Sequence, residues 1–145
     1  MKEITKQRIE EGRKRVEQEI AENKTRVESL LNNADFLDDD GYPTEDALEI
    51  IEKWHWDDPK GWFKFIEGIW YLRNWGWTEC EGGIDEYSNE QLDPKTIRYH
   101  ISTAGWSGNE SIIRAMQNNS FMWYLNWVQS RRGGHYIFEL KEVSE

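Results

Sequence analysis

The sequence predicts an α+β fold: a long N-terminal helix plus two helices, then a small, mainly antiparallel three- or four-stranded sheet with one further helix. Apolar residues recur at helical spacing in the first half of the chain. In the last third, alternating apolar and polar residues predict strands separated by glycine-containing turns. These patterns divide the chain into a helical arm at 1–35 and one α+β domain at 36–145. Within that domain we expect helices at about 45–73 and a sheet-containing part at about 75–143.

Residues 2–33 are predicted to form one continuous helix. Its apolar residues follow heptad spacing and charged residues fill the other faces, the apolar set being Ile9, Val16, Ile20, Val27 and Leu30. The same seam includes Arg13 and Asn23, and it covers about three heptads, which is short for a coiled coil. A stripe this narrow can pack on a second copy, on a partner, or back on its own domain. Homo-oligomerisation through this helix is therefore one of three open alternatives.

Helix-start signals define the next two helices. Thr44 is a typical N-cap residue and predicts a helix over roughly 45–54. Asp58-Pro59 combines a capping aspartate with a proline at the first helical position, and it predicts a helix at about 59–73. The wide apolar stripe of this third helix is typical of a helix that faces a hydrophobic core.

The rest of the chain predicts the sheet and its remaining helix. Residues 75–80 resemble a short strand, and the acidic residues 81–95 are predicted to form a loop. The last third predicts a strand, a helix and two more strands, at about 97–104, 108–117, 121–129 and 135–141. In the first of these strands, side chains alternate between an apolar face and a polar face that holds Arg98, His100 and Ser102.

Composition limits the kinds of partner. The chain carries 28 acidic and 18 basic residues, and the acidic excess lies in residues 36–95, whose net charge is −11. Duplex DNA is not expected to bind through a broad basic face, because phosphate contacts need clustered lysine and arginine. The acidic stretch is either a solvated surface or a contact for a basic partner. Nine tryptophans in a chain with a mean hydropathy of −0.90 indicate a small core built from a few large rings; the alternative is that some tryptophan faces line a binding site.

The sequence predicts neither a cofactor nor a membrane span. Cys80 is the single cysteine, so there is no disulfide framework, and the three histidines lack metal-binding spacing. No apolar run is long enough to cross a bilayer, and the N-terminus lacks a secretory leader pattern. We therefore expect a cytoplasmic protein with no bound metal.

One turn in the last third has features of both a helix start and a ligand contact. Gly105-Trp106-Ser107-Gly108-Asn109 follows a predicted strand, and Ser107 and Glu110 have the spacing of a capping box. A nucleophile elbow would need glycine where Asn109 stands, so a serine nucleophile is not favoured. A helix N-terminus attracts anions, and Trp106 and Asn109 are candidate ligand contacts there, with a purely structural role as the alternative.

The most basic spot in the chain is the predicted hairpin turn Arg131-Arg132-Gly133-Gly134-His135. Paired guanidinium groups bind phosphate or carboxylate through charge-assisted hydrogen bonds. Arg131, Arg132 and His135 are therefore candidate ligand-binding residues, while a solvated hairpin tip is the alternative. His100, His135 and Glu110 are candidate acid–base groups, but their spacing along the chain does not show that they meet.

The segment GWSGNESIIRAM…FMWYLNWVQSRRGGHYIFEL resembles the C-terminal part of a group of small uncharacterised proteins encoded by phages and prophages. The function of that group is unknown, so the resemblance assigns no catalytic residue. It implies a setting, the cytosol of a host cell, and a small accessory protein that acts by binding. An anti-CRISPR-like inhibitor of host defence is one protein of this kind.

The resulting hypothesis is a non-enzymatic binding protein with two open modes of action. One mode is capture of a small anionic, nucleotide-like ligand, with Arg131 and Arg132 on phosphate and Trp106 stacked on a base. The other mode is blockade of a host protein through the acidic segment 36–93. The alternative to both is a small enzyme that acts on a nucleotide or nucleic acid and uses the three acid–base candidates.

Overall fold

The computed structural model describes residues 2–141 and confirms the α+β class. Within these residues six helices and four strands follow one another along the chain. They are α1 (Lys2–Asn33), α2 (Glu45–Lys53), α3 (Pro59–Ile69), α4 (Arg73–Gly76), β1 (Trp77–Ile84), β2 (Gln91–Ser102), α5 (Ser107–Asn118), α6 (Ser120–Asn126), β3 (Trp127–Arg131) and β4 (His135–Lys141).

Helix α1 is unbroken over 32 residues, as predicted, and is therefore about 48 Å long. Its C-terminal third contacts the rest of the chain. Val27 and Leu30 are buried against Ile50, and the Arg26 guanidinium donates two hydrogen bonds to the Glu49 carboxylate at 2.8 and 3.2 Å. Most side chains in the preceding two-thirds are exposed. Among residues 2–141, no helix has both the length and the apolar character needed to cross a bilayer.

Helices α2 and α3 begin where the sequence predicts. Thr44 caps α2 by accepting a hydrogen bond from the Ala47 N–H, and Asp58 caps α3 in the same way. Helix α3 ends at Ile69, earlier than predicted. Leu72 adopts a left-handed backbone conformation (φ 58°) that is incompatible with a continuous helix, and α4 starts after it.

The four strands form one antiparallel sheet in the order β1-β2-β4-β3. One sheet face carries apolar side chains of the central strands, including Tyr99, Ile101 and Phe138. Residues of α3 and α5 share the hydrophobic core with this face. Trp62 and Phe63 of α3 are fully buried there, and Phe63 stacks on Tyr99 with ring centroids 4.2 Å apart. The opposite face carries mostly polar side chains of the same strands, such as Arg98, His100 and Glu139.

The loop predicted at 81–95 is wrong for most of its length. Strand β1 continues to Ile84 and β2 begins at Gln91, so a short turn over 85–90 joins them. Strand β1 lies at the edge of the sheet, where exposed charged residues such as Glu81 are common because they discourage pairing with other chains. Of the acidic residues in this stretch, Glu81 lies on the edge strand, while Asp85, Glu86 and Glu90 lie in the turn.

The strand predicted at 121–129 is also wrong, because most of this stretch forms α6. Asn119 caps that helix by accepting a hydrogen bond from the Met122 N–H. The Asn119 amide also donates to the carbonyl oxygens of Ile51 and Trp54, at 3.0 and 2.9 Å. A short run of aromatic residues is compatible with either a helix or a strand, and here the tertiary bonds of Asn119 favour the helix.

The hairpin turn between β3 and β4 forms as predicted, and it contacts the loop after β2. Gly133 and Gly134 have positive φ angles of 84° and 77°. The Gly134 carbonyl accepts a hydrogen bond from the Thr103 N–H at 3.0 Å, and a Cβ on Gly134 would lie 2.2 Å from Thr103 Oγ1. Glycine is therefore required for this approach. The loop leading into 105–109 thus touches the turn at 131–135.

Replacing Asn119 by alanine is expected to destabilise the fold by roughly 2–3 kcal/mol. The substitution removes the α6 cap and leaves the part-buried Trp54 carbonyl without the Asn119 donor. The Ile51 carbonyl loses one of its two donors and keeps the Trp62 indole N–H. Urea unfolding measures the change. The control is Asn118→Ala, an exposed neighbour at the end of α5, for which a loss well below 1 kcal/mol is expected. Equal losses in the two variants would contradict the role given to Asn119.

Candidate functional site

Polar side chains cover the face of the sheet opposite the core, and we call this surface the polar face. Directly paired residues of antiparallel strands project to the same side, so strand register fixes the membership of this face. Neighbouring strands contribute the polar residues Thr78, Cys80, Arg98, His100, Ser102, Arg131, His135 and Glu139, and the buried Ile137 lies among them.

The turn between β1 and β2 folds over part of the polar face and inserts a fully buried carboxylate, that of Asp85. Asp85 Oδ1 accepts a hydrogen bond from the Tyr87 N–H at 3.0 Å, and Oδ2 accepts one from the Ser88 hydroxyl at 3.1 Å. The Asn89 N–H donates to the Asp85 carbonyl at 2.7 Å, with Asn89 in a left-handed conformation (φ 59°). The turn is therefore organised around Asp85.

Arg98 connects this turn to strand β4. Its guanidinium donates to Asp85 Oδ2 at 3.0 Å, to Glu90 Oε2 at 3.3 Å and to the Glu139 carboxylate. The Arg98 side chain is almost completely buried, so these partners are what make burial of its charge tolerable. Three carboxylates around one guanidinium leave an excess of negative charge beside the neighbouring His100.

His100 links Asp85 to a second histidine. Its Nε2 lies 2.9 Å from Asp85 Oδ2, and its Nδ1 lies 3.4 Å from Nε2 of His135. The ring of Tyr87 covers His100, with ring centroids 4.6 Å apart. When His100 Nε2–H donates to Asp85, Nδ1 is left to accept from His135 Nε2–H. The three groups then form a hydrogen-bonded chain from a buried carboxylate to a half-buried imidazole.

The pKa values in this chain are shifted in directions set by burial and by neighbours. Burial alone would raise the pKa of Asp85, but hydrogen bonds from His100, the Tyr87 N–H and Arg98 outweigh it and hold that pKa well below its usual range. Burial lowers the pKa of His135, and the charges of His100 and Arg131 lower it further. Asp85 is therefore ionised and His135 neutral at pH 7.

A cavity of about 250 Å³ lies where the chain of hydrogen bonds reaches the surface. Its lining combines two imidazoles, three hydroxyls and an exposed indole, from Trp75, Gly76, Thr78, Tyr87, His100, Ser102 and His135. The Thr78 and Tyr87 hydroxyls lie 3.3 Å apart on one side. On the other side Arg131 is directly opposite His135 in the β3–β4 pair. Such a lining can bind a small anion, and His135 can exchange a proton with it.

A metal ion is a poor fit to this region. Cys80, Asp85 and His100 place potential ligand atoms within 4.8 Å of one another. However, the Arg98 guanidinium already occupies Asp85 Oδ2, and a second positive charge there would be repelled. Burial and the Asp85 charge also raise the pKa of the Cys80 thiol, which disfavours the thiolate that a metal would need. We assign no metal to these residues.

Trp106 and Asn109 have packing roles in the structure. The Trp106 ring packs against Tyr42 and Tyr71, with centroids 4.8 and 4.7 Å away. The fully buried Asn109 side chain accepts from the Tyr71 N–H and donates to the Tyr71 carbonyl, both at 3.0 Å. These contacts support the structural alternative for both residues, and contact with a ligand stays a prediction.

The predicted capping box at Ser107 and Glu110 is wrong. Helix α5 begins at Ser107 itself with Trp106 in the capping position, and no side chain caps it. The Ser107 hydroxyl is instead 3.5 Å from the Tyr42 hydroxyl. In the preceding turn the Thr103 hydroxyl accepts a hydrogen bond from the Gly105 N–H at 3.3 Å.

Of the remaining sequence candidates, His100 and His135 lie next to each other in the fold, but the predicted carboxylate Glu110 is not beside them. Glu110 is exposed in the first turn of α5, and the carboxylate bonded to His100 is Asp85. Arg131 lies on the polar face beside His135, while Arg132 is exposed in the hairpin turn. Sequence reasoning missed Asp85 because it stands in an acidic stretch where nothing distinguishes it from its neighbours.

Comparison with known proteins gave no match. No protein-family model, curated protein or solved structure matches this chain. The function of the polar face is therefore inferred from its own geometry and chemistry.

Replacing Asp85 by asparagine is expected to destabilise the protein by about 3 kcal/mol at pH 7, because Arg98 loses a buried counter-charge and His100 loses its carboxylate partner. Since the folded pKa of Asp85 is lowered, its stabilisation is complete above the unfolded value near 4 and is lost as pH falls further. The variant should therefore lose less stability than wild type between about pH 4 and 2.

Urea unfolding at several pH values measures both effects. Glu90→Gln is the matched control, because Glu90 contacts the same guanidinium but its side chain is 62% exposed. Its expected cost is below about 1 kcal/mol. Parallel pH profiles for wild type and Asp85→Asn would contradict the assignment of this acid-sensitive stability to Asp85.

Proposed function

We propose that this protein is a non-enzymatic binding protein that captures a small anionic ligand at the cavity on the polar face. The observation that carries the proposal is the position of His135. It lines the cavity, is bonded to His100 behind it, and lies opposite Arg131 on the neighbouring strand. The C-terminal resemblance to phage and prophage proteins adds a setting: an accessory protein in the host cytosol that withdraws a signal molecule.

The chemistry of the cavity favours a phosphate-type group. Hydroxyl donors line it, and Arg131 is the direct partner of His135 in the β3–β4 pair. An anion next to His135 stabilises the imidazolium and adds a charge-assisted hydrogen bond. A volume of about 250 Å³ suits a phosphate-sized head group, with the rest of the ligand outside. Named residues therefore support capture of an anion, whereas blockade of a host protein through the acidic segment 36–93 rests on net charge alone.

The stacking group in this proposal differs from the one that the sequence indicates. Trp106 is already packed against two tyrosines. Trp75 lines the cavity and is 68% exposed, and Tyr87 beside it is also largely exposed. These rings offer free faces to a base or another flat group attached to the anion. A nucleotide-like ligand therefore fits with Trp75 in place of Trp106.

A second candidate function, a small enzyme that acts on a nucleotide, is favoured by the Asp85–His100–His135 chain. A buried carboxylate that orients one imidazole against another is suited to moving a proton. In this version His135 exchanges the proton with the substrate, and His100 and Asp85 position it. Turnover of a nucleotide panel that disappears in His135→Ala, while ligand binding is retained in His135→Gln, would favour the enzyme over the binding protein.

The binding proposal predicts that the protein binds inorganic pyrophosphate or a nucleoside monophosphate, as measured by isothermal titration calorimetry. Affinity should fall at least about tenfold in His135→Ala and in Arg131→Ala/Arg132→Ala, since each loses a charge-assisted bond. Because burial lowers the pKa of His135 in the free protein, binding should strengthen as pH falls below about 6.5.

Arg114→Ala provides the control, because Arg114 is an exposed arginine on α5 and is not on the polar face. Its affinity should equal that of wild type. If His135→Ala and Arg131→Ala/Arg132→Ala bind the ligand as tightly as the control, the proposed site is wrong. So would affinity that weakens on acidification while the protein stays folded.

A further inference from the structure

Helix α1 and the body of the protein border a groove that has no occupant among the described residues. The groove has a volume of about 650 Å³ and lies where α1 leaves the body. Its apolar lining comes from α1, from the segment after α2 and from α6, with Val16, Ile20, Trp54, Trp56 and Phe121. Phe121 is 69% exposed and Trp56 is 49% exposed. Large apolar side chains this exposed at one concave place indicate a contact with another segment.

The charges around the groove favour a basic occupant. Glu19 and Glu52 line it, and neither forms a salt bridge within residues 2–141. The other polar lining residues already have partners: Lys53 pairs with Glu49 at 2.9 Å, and His55 Nδ1 lies 2.6 Å from Asp57 Oδ1. The occupant should therefore combine an apolar side chain for the rings with basic residues for the two carboxylates.

The first half of α1 has this composition. Residues 2–15 contain six basic and three acidic side chains, a net charge of +3, whereas residues 16–33 have a net charge of −2. Ile9 is 67% exposed and precedes the groove residue Val16 by seven positions, so both lie on one stripe of the helix. This half of α1 makes an apolar, basic surface that matches the groove in charge and in character.

The matching half cannot reach the groove of its own chain. Helix α1 is continuous through residues 2–33, so residues 2–15 form about 21 Å of helix that cannot fold back onto the groove. A second copy brings the same basic half towards the groove when the two arms run antiparallel. A two-fold arrangement then fills both grooves by the same contact and forms a closed dimer.

We propose that the N-terminal half of α1 from a second copy occupies this groove, giving an antiparallel, two-fold dimer. The contact places the exposed Ile9 of one protomer against the aromatic lining around Trp56 and Phe121 of the other. It also places the basic half of each arm beside Glu19 and Glu52 of its partner. The polar face is not part of this contact, so a test of the dimer does not test the ligand proposal.

Sedimentation equilibrium of the full chain over a concentration series reaching ~1 mM tests the dimer. Wild type should dimerise, and Ile9→Glu should weaken association at least about tenfold while circular dichroism shows an unchanged fold. Ile84→Glu is the matched control, because Ile84 is similarly exposed on β1, away from the groove, and should leave association unchanged. A monomeric wild type over the whole series would overturn the proposal.

Charge exchange tests the antiparallel direction. Lys6→Glu/Arg8→Glu and Glu19→Lys/Glu52→Lys should each weaken the dimer, because each makes the facing surfaces alike in charge. Combining all four substitutions in one chain should restore association, since opposite charges again face each other. The proposed groove contact is wrong if the variant with all four substitutions associates as weakly as either double variant. It is also wrong if neither double variant weakens association.

Discussion

The buried Asp85 carboxylate is the interaction on which the polar half of this structure depends. It accepts hydrogen bonds from Arg98, His100, the Tyr87 N–H and Ser88, and so it fixes the β1–β2 turn over the sheet. Without these bonds, little would stabilise the turn in its position over a polar surface. The cost of burying a charge is offset only because every partner is present, which makes the arrangement specific as well as stable.

The sheet separates two kinds of interior. On one face, rings such as Phe63, Tyr99 and Phe138 pack into an apolar core that needs shape and volume. On the other face, ionised and hydrogen-bonding groups are held by mutual pairing, and no buried side-chain polar atom among the described residues lacks a partner. The apolar face provides a rigid base, so the imidazoles on the polar face are held in place when a ligand arrives. That combination is suited to binding small anions selectively.

Local signals were sufficient for elements that depend on neighbouring residues. Thr44 and Asp58 cap helices as predicted, and the hairpin turn at Arg131–His135 forms with positive φ at Gly133 and Gly134. Longer-range effects overrode local patterns elsewhere. Asn119 bonds to Ile51 and Trp54, which are far away in sequence, and this makes a helix of an aromatic run that resembles a strand. Within the candidate site, His100 and His135 were identifiable as histidines on strands, but Asp85 was one acidic residue among many.

The sequence by itself determined the α+β class, the long arm, and the alternation that sends Arg98 and His100 to one face of a strand, because these follow from periods of 3.6 and 2 residues. Only the tertiary structure decided which carboxylate meets His100, that His135 lies beside it, and that Trp106 is packed by tyrosines. Those contacts join residues up to 64 positions apart, as in the Tyr42–Trp106 pair. They depend on strand order and on the fold of one turn, which no local pattern encodes.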